Sequence, residues 1–217
     1  MNILSIDIGG TNVKLKTSVE QEIIKFPSGP ELTPQQMVDG VKSIAQKWDY
    51  THVSMGFPGP IAEGQIQKEP VNLGQGWMNY DFAQAFERPF KLINDAAMQA
   101  LGSYEGGRML FLGLGTALVI ENVVAPMELG HLPYKKQKSF EQWVGKAAYE
   151  DLGKKKWRKV VDDVVCRLRD AFVADYVVLG GGNAKKLEEL PERARLGANE
   201  NAFTGGFRLW EEGYKGI

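Results

Sequence analysis

The sequence predicts an α/β protein built in two halves, and three observations carry that expectation. Short apolar runs of strand length alternate with longer amphipathic stretches. Three of the apolar runs end in glycine turns, at 9–10, 113–115 and 180–182. The order of elements also occurs twice: each half opens with a hairpin whose first strand ends in a glycine turn, and each later returns to a short strand leading into a helix.

Residues Ile3 to Ile8 read as a buried strand, and Asn12 to Thr17 alternates apolar with polar as a half-exposed strand does. Gly9–Gly10 between them fits a tight hairpin. Glu22 to Phe26 is a candidate third strand. Thr33-Pro34 supplies an N-cap followed by proline at the first helical position, and Gln35 to Trp48 has helical spacing. His52 to Gly56 is a short strand running into the loop GFPGPI. A loop and a short helix from about Asp81 follow, then a strand at Phe90 to Ile93. The segment NDAAMQALGSY opens a helix with Asn94 or Asp95 as its cap. In the second half, Arg108 to Leu112 and Ala117 to Val124 read as strands flanking GLGT. Helices are expected over about Phe140 to Leu152 and Lys155 to Phe172. Tyr176 to Leu179 is a strand ending in GGGN with a helix after it, and Asn201 to Trp210 reads as a last helix. The boundary falls near Gly106–Gly107.

A chain of 217 residues with 43% apolar and 24% charged residues is expected to be a soluble globular protein with a sizeable core. A formal net charge of −1 carries no basic excess for a nucleic-acid or membrane surface. Cys166 is the one cysteine, which excludes an intramolecular disulfide and a cysteine-based zinc site. MNILSIDIGG reaches an aspartate and two glycines too early for a signal peptide, so a cytoplasmic protein is expected.

Glycine turns at strand ends let backbone N–H groups approach a ligand, which suits phosphate oxygens. In DIGGTN, Asp7 stands at such a strand end. Either it closes a plain Gly–Gly hairpin, or it works beside a phosphate site through a metal ion or its waters. GLGT at 113–116 and LGGGN at 179–183 are further turns of this type. Neither a P-loop nor a G-x-G-x-x-G fingerprint is present. IND at 93–95 is either a helix cap or a substrate asparagine followed by a general base, Asp95. ELGH at 128–131 holds Glu128 and His131 at a spacing that suits neighbouring hydroxyls of a polyol, or a solvated Glu beside a backbone-satisfied His. His52 and His131 are the two histidines, and neither has a partner at metal-ligand spacing.

Taken in order, DIGGTNVK, GFPGPI, NLGQGW, INDA, LGLGT, ELGHL and VLGGGN resemble the ROK sugar-kinase family, and within it the polyphosphate/ATP-glucokinase branch. The resemblance runs from residue 3 to about 210. It implies the two-lobed actin-like ATPase (ribonuclease H-like) fold with a central cleft. The lobes implied are 1–106 and 107–200, with 201–217 packing back on the first. It implies Asp7 as the Mg²⁺-associated aspartate, with Gly9, Gly10, Thr11 and Lys14 around the donor phosphates. Gly113, Gly115 and Thr116 match the second phosphate loop, and Gly180, Gly181 and Gly182 the segment beside the adenosine. Asp95 matches the catalytic base. Asn94, Glu128, His131 and Glu141 match sugar-binding residues, and Pro58 and Gly59 fall in a loop near the sugar. The implied reaction is phosphoryl transfer from ATP or polyphosphate to a hexose hydroxyl, with the glucose 6-OH as first choice, in a homodimer.

Three departures accompany the resemblance. KKQKS replaces the cysteine-rich zinc motif of many relatives, so zinc is not expected. Ala117 and Val119 replace two glycines of the second phosphate loop, which bears on nucleotide binding. The loops near 120–126 and 183–200 look trimmed. The chain starts at its first strand without the helix-turn-helix of ROK repressors, so a DNA-binding role is not expected. A sensor that binds sugar or nucleotide without transfer, and a kinase for another sugar, stay open. The basic runs YKKQK at 134–138 and KKKWRK at 154–159 are candidate polyphosphate tracks or solvated charge.

Overall fold

A computed structural model describes residues 1–113 and 115–216. Leu114, inside the GLGT turn, and Ile217, the last residue of the 201–217 segment, lie outside the described residues. The first half is a five-stranded sheet. Its strands are β1 (Ile3–Ile8), β2 (Asn12–Thr17), β3 (Ile24–Pro27), β4 (His52–Phe57) and, after the two-residue strands β5 (Ile61–Ala62) and β6 (Gln65–Ile66), β7 (Phe90–Asn94). The order is β3-β2-β1-β4-β7, with β1, β4 and β7 parallel. Parallel neighbours bring their carboxyl ends to one edge of the sheet, where ligands of open α/β sheets bind. Here that edge collects the turn after Ile8, the Pro58–Gly59 loop after Phe57, and Asn94–Asp95.

Helix α1 (Pro34–Ala45) starts where local chemistry dictates: Thr33 and Gln36 form a reciprocal capping box around Pro34 at the first helical position. It stops three residues short of Trp48, whose N–H instead tightens the last turn on the Ala45 carbonyl at 2.9 Å. Met37, Val38 and Val41 face the sheet. A short α2 (Phe82–Phe86) precedes β7, and α3 (Asp95–Ser103) follows it.

The second half has strands β8 (Arg108–Leu112), β9 (Thr116–Ile120), β10 (Val123–Met127), β11 (Tyr176–Leu179), β12 (Ala194–Leu196) and β13 (Lys215–Gly216), in the order β12-β11-β8-β9-β10-β13. The stretch read as one strand from Ala117 to Val124 is a hairpin. Glu121 and Asn122 adopt φ of 49° and 64°, the two left-handed residues of a tight turn that reverses the chain.

Helices α4 (Phe140–Val144) and α5 (Lys146–Leu152) replace the single helix expected over Phe140 to Leu152, because Gly145 between them is extended (φ −70°, ψ 179°). Helix α6 (Lys154–Ala171) then covers one face of the second sheet. No helix follows GGGN. One 3₁₀ turn at Ala184–Lys186 leads into a loop whose Leu187 is buried, and Lys154 and Arg158 of α6 pair with its Glu188 and Glu189. These contacts draw the segment down as a loop before β12. The last helix, α7 (Asn201–Arg208), ends two residues before Trp210.

Helices α3 and α7 pack between the two sheets, and their cluster joins Ile93, Ala97 and Leu101 to Met109, Phe111, Val119 and Ala202. Gly102, Gly205 and Gly206 permit this approach: a Cβ at any of them would overlap the backbone of the facing helix or the Ser5 side chain. Among the described residues, no helix is long and apolar enough to cross a membrane.

Candidate functional site

At the end of β1, Asp7 pairs across the sheet with Lys14 of β2, and the Lys14 Nζ lies 2.7 Å from Asp7 Oδ2. The pair is largely shielded, with the Asp7 side chain 13% exposed. The turn beyond it is not a two-residue hairpin: Gly9, Gly10 and Thr11 form the loop, and none of them has a positive φ. The Gly9 N–H donates to the Asn12 carbonyl at 3.0 Å. Ser28 braces the loop by donating its hydroxyl to the Gly9 carbonyl and its N–H to the Thr11 carbonyl. The N–H groups of Gly10 and Thr11 have no partner among the described residues.

Asn94 is the cap of α3. Its Oδ1 accepts from the Ala97 N–H at 3.1 Å, while its Nδ2 donates to the Gly59 carbonyl at 3.1 Å. One side chain thus starts the helix and ties it to the Pro58–Gly59 loop. Asp95 is relieved of the capping role. It accepts the Ala96 N–H at 2.8 Å and forms no ion pair among the described residues. Partial burial pushes its carboxyl up to about 6; the Asp7 charge adds to the rise, and the Ala96 N–H and Lys14 oppose it. Asp7, Lys14 and Asp95 therefore belong to one electrostatic neighbourhood.

The second turn is built differently. The Gly113 N–H closes on the Gly115 carbonyl at 2.9 Å, and a Cβ on Gly115 would stand 2.6 Å from that of Ala96. The turn therefore presses on the first residues of α3. Thr116 is buried; its hydroxyl donates to the Met127 carbonyl at 2.5 Å and accepts from the Leu129 N–H at 3.0 Å. In this arrangement its proton is held by backbone. Ala117 and Val119 are fully buried in β9.

Glu128, His131 and Glu141 come together. His131 Nδ1 lies 3.7 Å from Glu128 Oε2, and its Nε2 3.8 Å from Glu141 Oε2, all three exposed. They line a cavity of about 490 Å³ together with Gly180–Gly182 and with Trp157, Val161, Val164 and Leu168 of α6. Gly180 is tied to the protein itself, since a Cβ there would meet the Phe111 ring at 2.5 Å. Gly182 faces open space, as does Gly181 at φ +82°.

The basic runs are partly neutralised: Lys135 pairs with Asp163, Lys154 with Glu188 and Arg158 with Glu189. No cluster of three metal-ligating side chains occurs among the described residues. Sequence reasoning missed Glu69, whose carboxylate accepts the N–H groups of Gly76, Trp77 and Met78 at 3.0–3.1 Å. It also missed Asn72, which lies against Gly10. Glu69 had no local signal; Asn72 opens the NLGQGW motif, but the motif assigns it no role because its place over Gly10 is set by a loop contact.

No family model matches the chain. The polyphosphate glucokinase of Mycobacterium leprae is 22% identical over 210 residues, covering 84% of this chain. The chain spans 64% of the length of that relative. The crystal structure of an inorganic polyphosphate/ATP-glucomannokinase from Arthrobacter sp. strain KM superposes with a TM-score of 0.76 at 22% identity, covering 94% of this chain and 96% of the other. A ROK family transcriptional regulator, a homologue of the E. coli MLC protein, gives a TM-score of 0.70 at 13% identity over 94% of this chain and 76% of its own. The fold is that of the ROK proteins. The ROK fold thus accounts for the two sheets and for α3 and α7 between them. Because it carries both a kinase and a regulator in these comparisons, function rests on the side chains.

Proposed function

We propose that the chain is a sugar kinase that transfers a phosphoryl group from ATP or polyphosphate to a hexose hydroxyl, with the glucose 6-OH as acceptor. The observation that carries this reading is Asp95. It is a carboxylate raised to about 6 by burial, without an ion-pair partner among the described residues, on a helix that Asn94 already caps. Such a group costs stability, and its placement suits a general base that is ionised at neutral pH yet basic enough to take a hydroxyl proton.

In this reading Glu128, His131 and Glu141 bind sugar hydroxyls, and Asn94 holds the acceptor beside Pro58 and Gly59. The sugar oxygen attacks the terminal phosphorus as its proton passes to the Asp95 carboxylate. A bond from sugar oxygen to phosphorus forms, and the phosphorus–oxygen bond to ADP or the shortened polyphosphate breaks. Gly9, Gly10, Thr11 and Lys14 meet the donor from the first lobe, and Gly181 and Gly182 from the second; Gly113, Gly115, Thr116 and Gly180, which the resemblance matches to the donor, are engaged within the protein instead. Lys14 takes Asp7 Oδ2 and leaves Oδ1 without a partner, which fits a Mg²⁺ ion that arrives with the donor phosphates rather than one held in a cage of protein ligands. Mg²⁺ would supply neutralisation of phosphate charge.

The proposed lobes are residues 1–106 and 107–200, with 201–217 returning to the first. The contacts of α7 with β1 and β4 support that return. A cytoplasmic homodimer is proposed from the family resemblance, and sedimentation checks the assembly. The test of the function is glucose 6-phosphate formation by purified protein with Mg²⁺ and glucose, with ATP or polyphosphate as donor. Product with either donor is the expected result. Glucose binding without product from either donor overturns it in favour of a sensor.

A further inference from the structure

We propose that Asn72 is a donor-positioning residue, whose side-chain amide completes an anion cradle with the N–H groups of Gly10 and Thr11. This rests on the sugar-kinase reading and extends it to a residue outside the glycine loops.

The cradle has three parts. Gly10 and Thr11 offer two backbone donors with no partner among the described residues, while the Gly9 N–H is already committed to Asn12. Asn72 stands directly over that turn: a Cβ built on Gly10 would lie 3.6 Å from Asn72 Cβ and 4.0 Å from its Nδ2. The Asn72 side chain is exposed and makes no hydrogen bond among the described residues. The Lys14 ammonium nearby is already paired with the Asp7 carboxylate at 2.7 Å, so the selection rests on the N–H groups. Three uncommitted N–H sources in one place select an anion. A neutral polyol would call for acceptors as well, and the candidate acceptor-side carboxylates Glu128 and Glu141 lie in the other half of the chain.

The position of Asn72 is built, not incidental. Its neighbours Leu73 and Trp77 are buried in the first core. Gly74 donates its N–H to the Leu32 carbonyl at 3.0 Å, and a Cβ there would stand 2.8 Å from that oxygen. Glu69 gathers three N–H groups from the far side of the same loop. The loop is therefore anchored on both sides of an asparagine that has no bond of its own, and a group held that way is organised for something outside the protein. In the proposed reaction that something is the anionic end of the phosphoryl donor.

The test is binding of tripolyphosphate, measured by calorimetry, alongside steady-state KM values for donor and glucose. Asn72→Ala is expected to weaken tripolyphosphate binding and raise the donor KM by about tenfold, the scale of one hydrogen bond to a charged group, with the glucose KM within about twofold. Asn72→Asp keeps the shape and adds a negative charge, so it is expected to weaken binding more than alanine does. A purely structural role predicts the reverse order, since aspartate preserves the loop. Unchanged tripolyphosphate affinity in Asn72→Ala overturns the proposal while wild-type turnover leaves the kinase reading standing. A raised glucose KM with unchanged tripolyphosphate affinity overturns it too. If the wild-type protein neither binds tripolyphosphate nor forms glucose 6-phosphate, the kinase reading fails and this inference falls with it.

Discussion

The turn after β1 and the turn after β8 look alike in the sequence and differ in what surrounds them. Gly9–Thr11 keeps two N–H groups unpaired, faces Asn72 and lies beside the Asp7–Lys14 pair. Gly113–Thr116 closes on itself and presses on Ala96, and its threonine hydroxyl is bonded twice to backbone. Gly113 and Gly180, from two separate segments, both crowd the Phe111 ring. A glycine at a strand end therefore has two physical causes, an open side for a ligand or a close neighbour within the protein. The motif does not say which.

Substitutions separate the two causes. The largest effect is expected on the ligand-facing side. Asp95→Asn should lower transfer on the order of 1000-fold, as loss of a general base does, with glucose affinity kept. In the wild type, kcat/KM should rise with pH and reach half its plateau near pH 6, where Asp95 ionises. The same group weakens the fold. Its carboxyl titrates near 6 in the folded chain and about 3.9 unfolded, so the folded state holds more protons between those values, and stability falls as pH rises through that window. Asp95→Asn should accordingly stabilise the protein at pH 8 by roughly 3 kcal/mol and by nothing below pH 4, read from urea unfolding at the two pH values. Full activity in this variant would remove Asp95 from the mechanism.

Next comes the packed side. Gly180→Ala places a methyl group 2.5 Å from Phe111 Cζ. It should destabilise the protein by about 2 kcal/mol, the range of overpacked cores. Adding Phe111→Leu should recover part of that loss, and a strictly additive double mutant would show that the ring is not the cause.

Gly10→Ala is the counterpart on the open side. Its Cβ meets only ordinary contacts and its φ is not positive, so stability should move by less than about 0.5 kcal/mol while the donor KM rises severalfold. A large stability loss would erase the contrast between the turns.

Smallest of all, Thr116→Val should cost about 1 kcal/mol of stability through the unpaired Leu129 N–H and Met127 carbonyl. Hydrogen exchange at Leu129 reads it directly. No change there would return the hydroxyl to the ligand.

Much of the fold was legible because its signals are local. Thr33, Pro34 and Gln36 announce α1 within four residues, alternation announces β2, and Asn94 announces α3 by its capping chemistry. The misreadings share a cause. The Glu121–Asn122 turn was hidden because a two-residue polar step between apolar runs does not by itself mark a reversal of the chain. The absent helix after GGGN is a loop held by Lys154 and Arg158, more than thirty residues earlier in the chain. At the site, the residue types Asp7, Asn94, Asp95, Glu128, His131 and Glu141 were written in order along the chain. The sequence by itself determined which chemical groups are available and where the strands end, because propensity, capping and turn chemistry act over a few residues. Only the tertiary structure decided that Asp95 is half-buried and near Asp7, that Asn72 stands over Gly10, and that Phe111 claims Gly180. Burial, electrostatic coupling and close packing are sums over residues far apart in the chain, and no local pattern carries them.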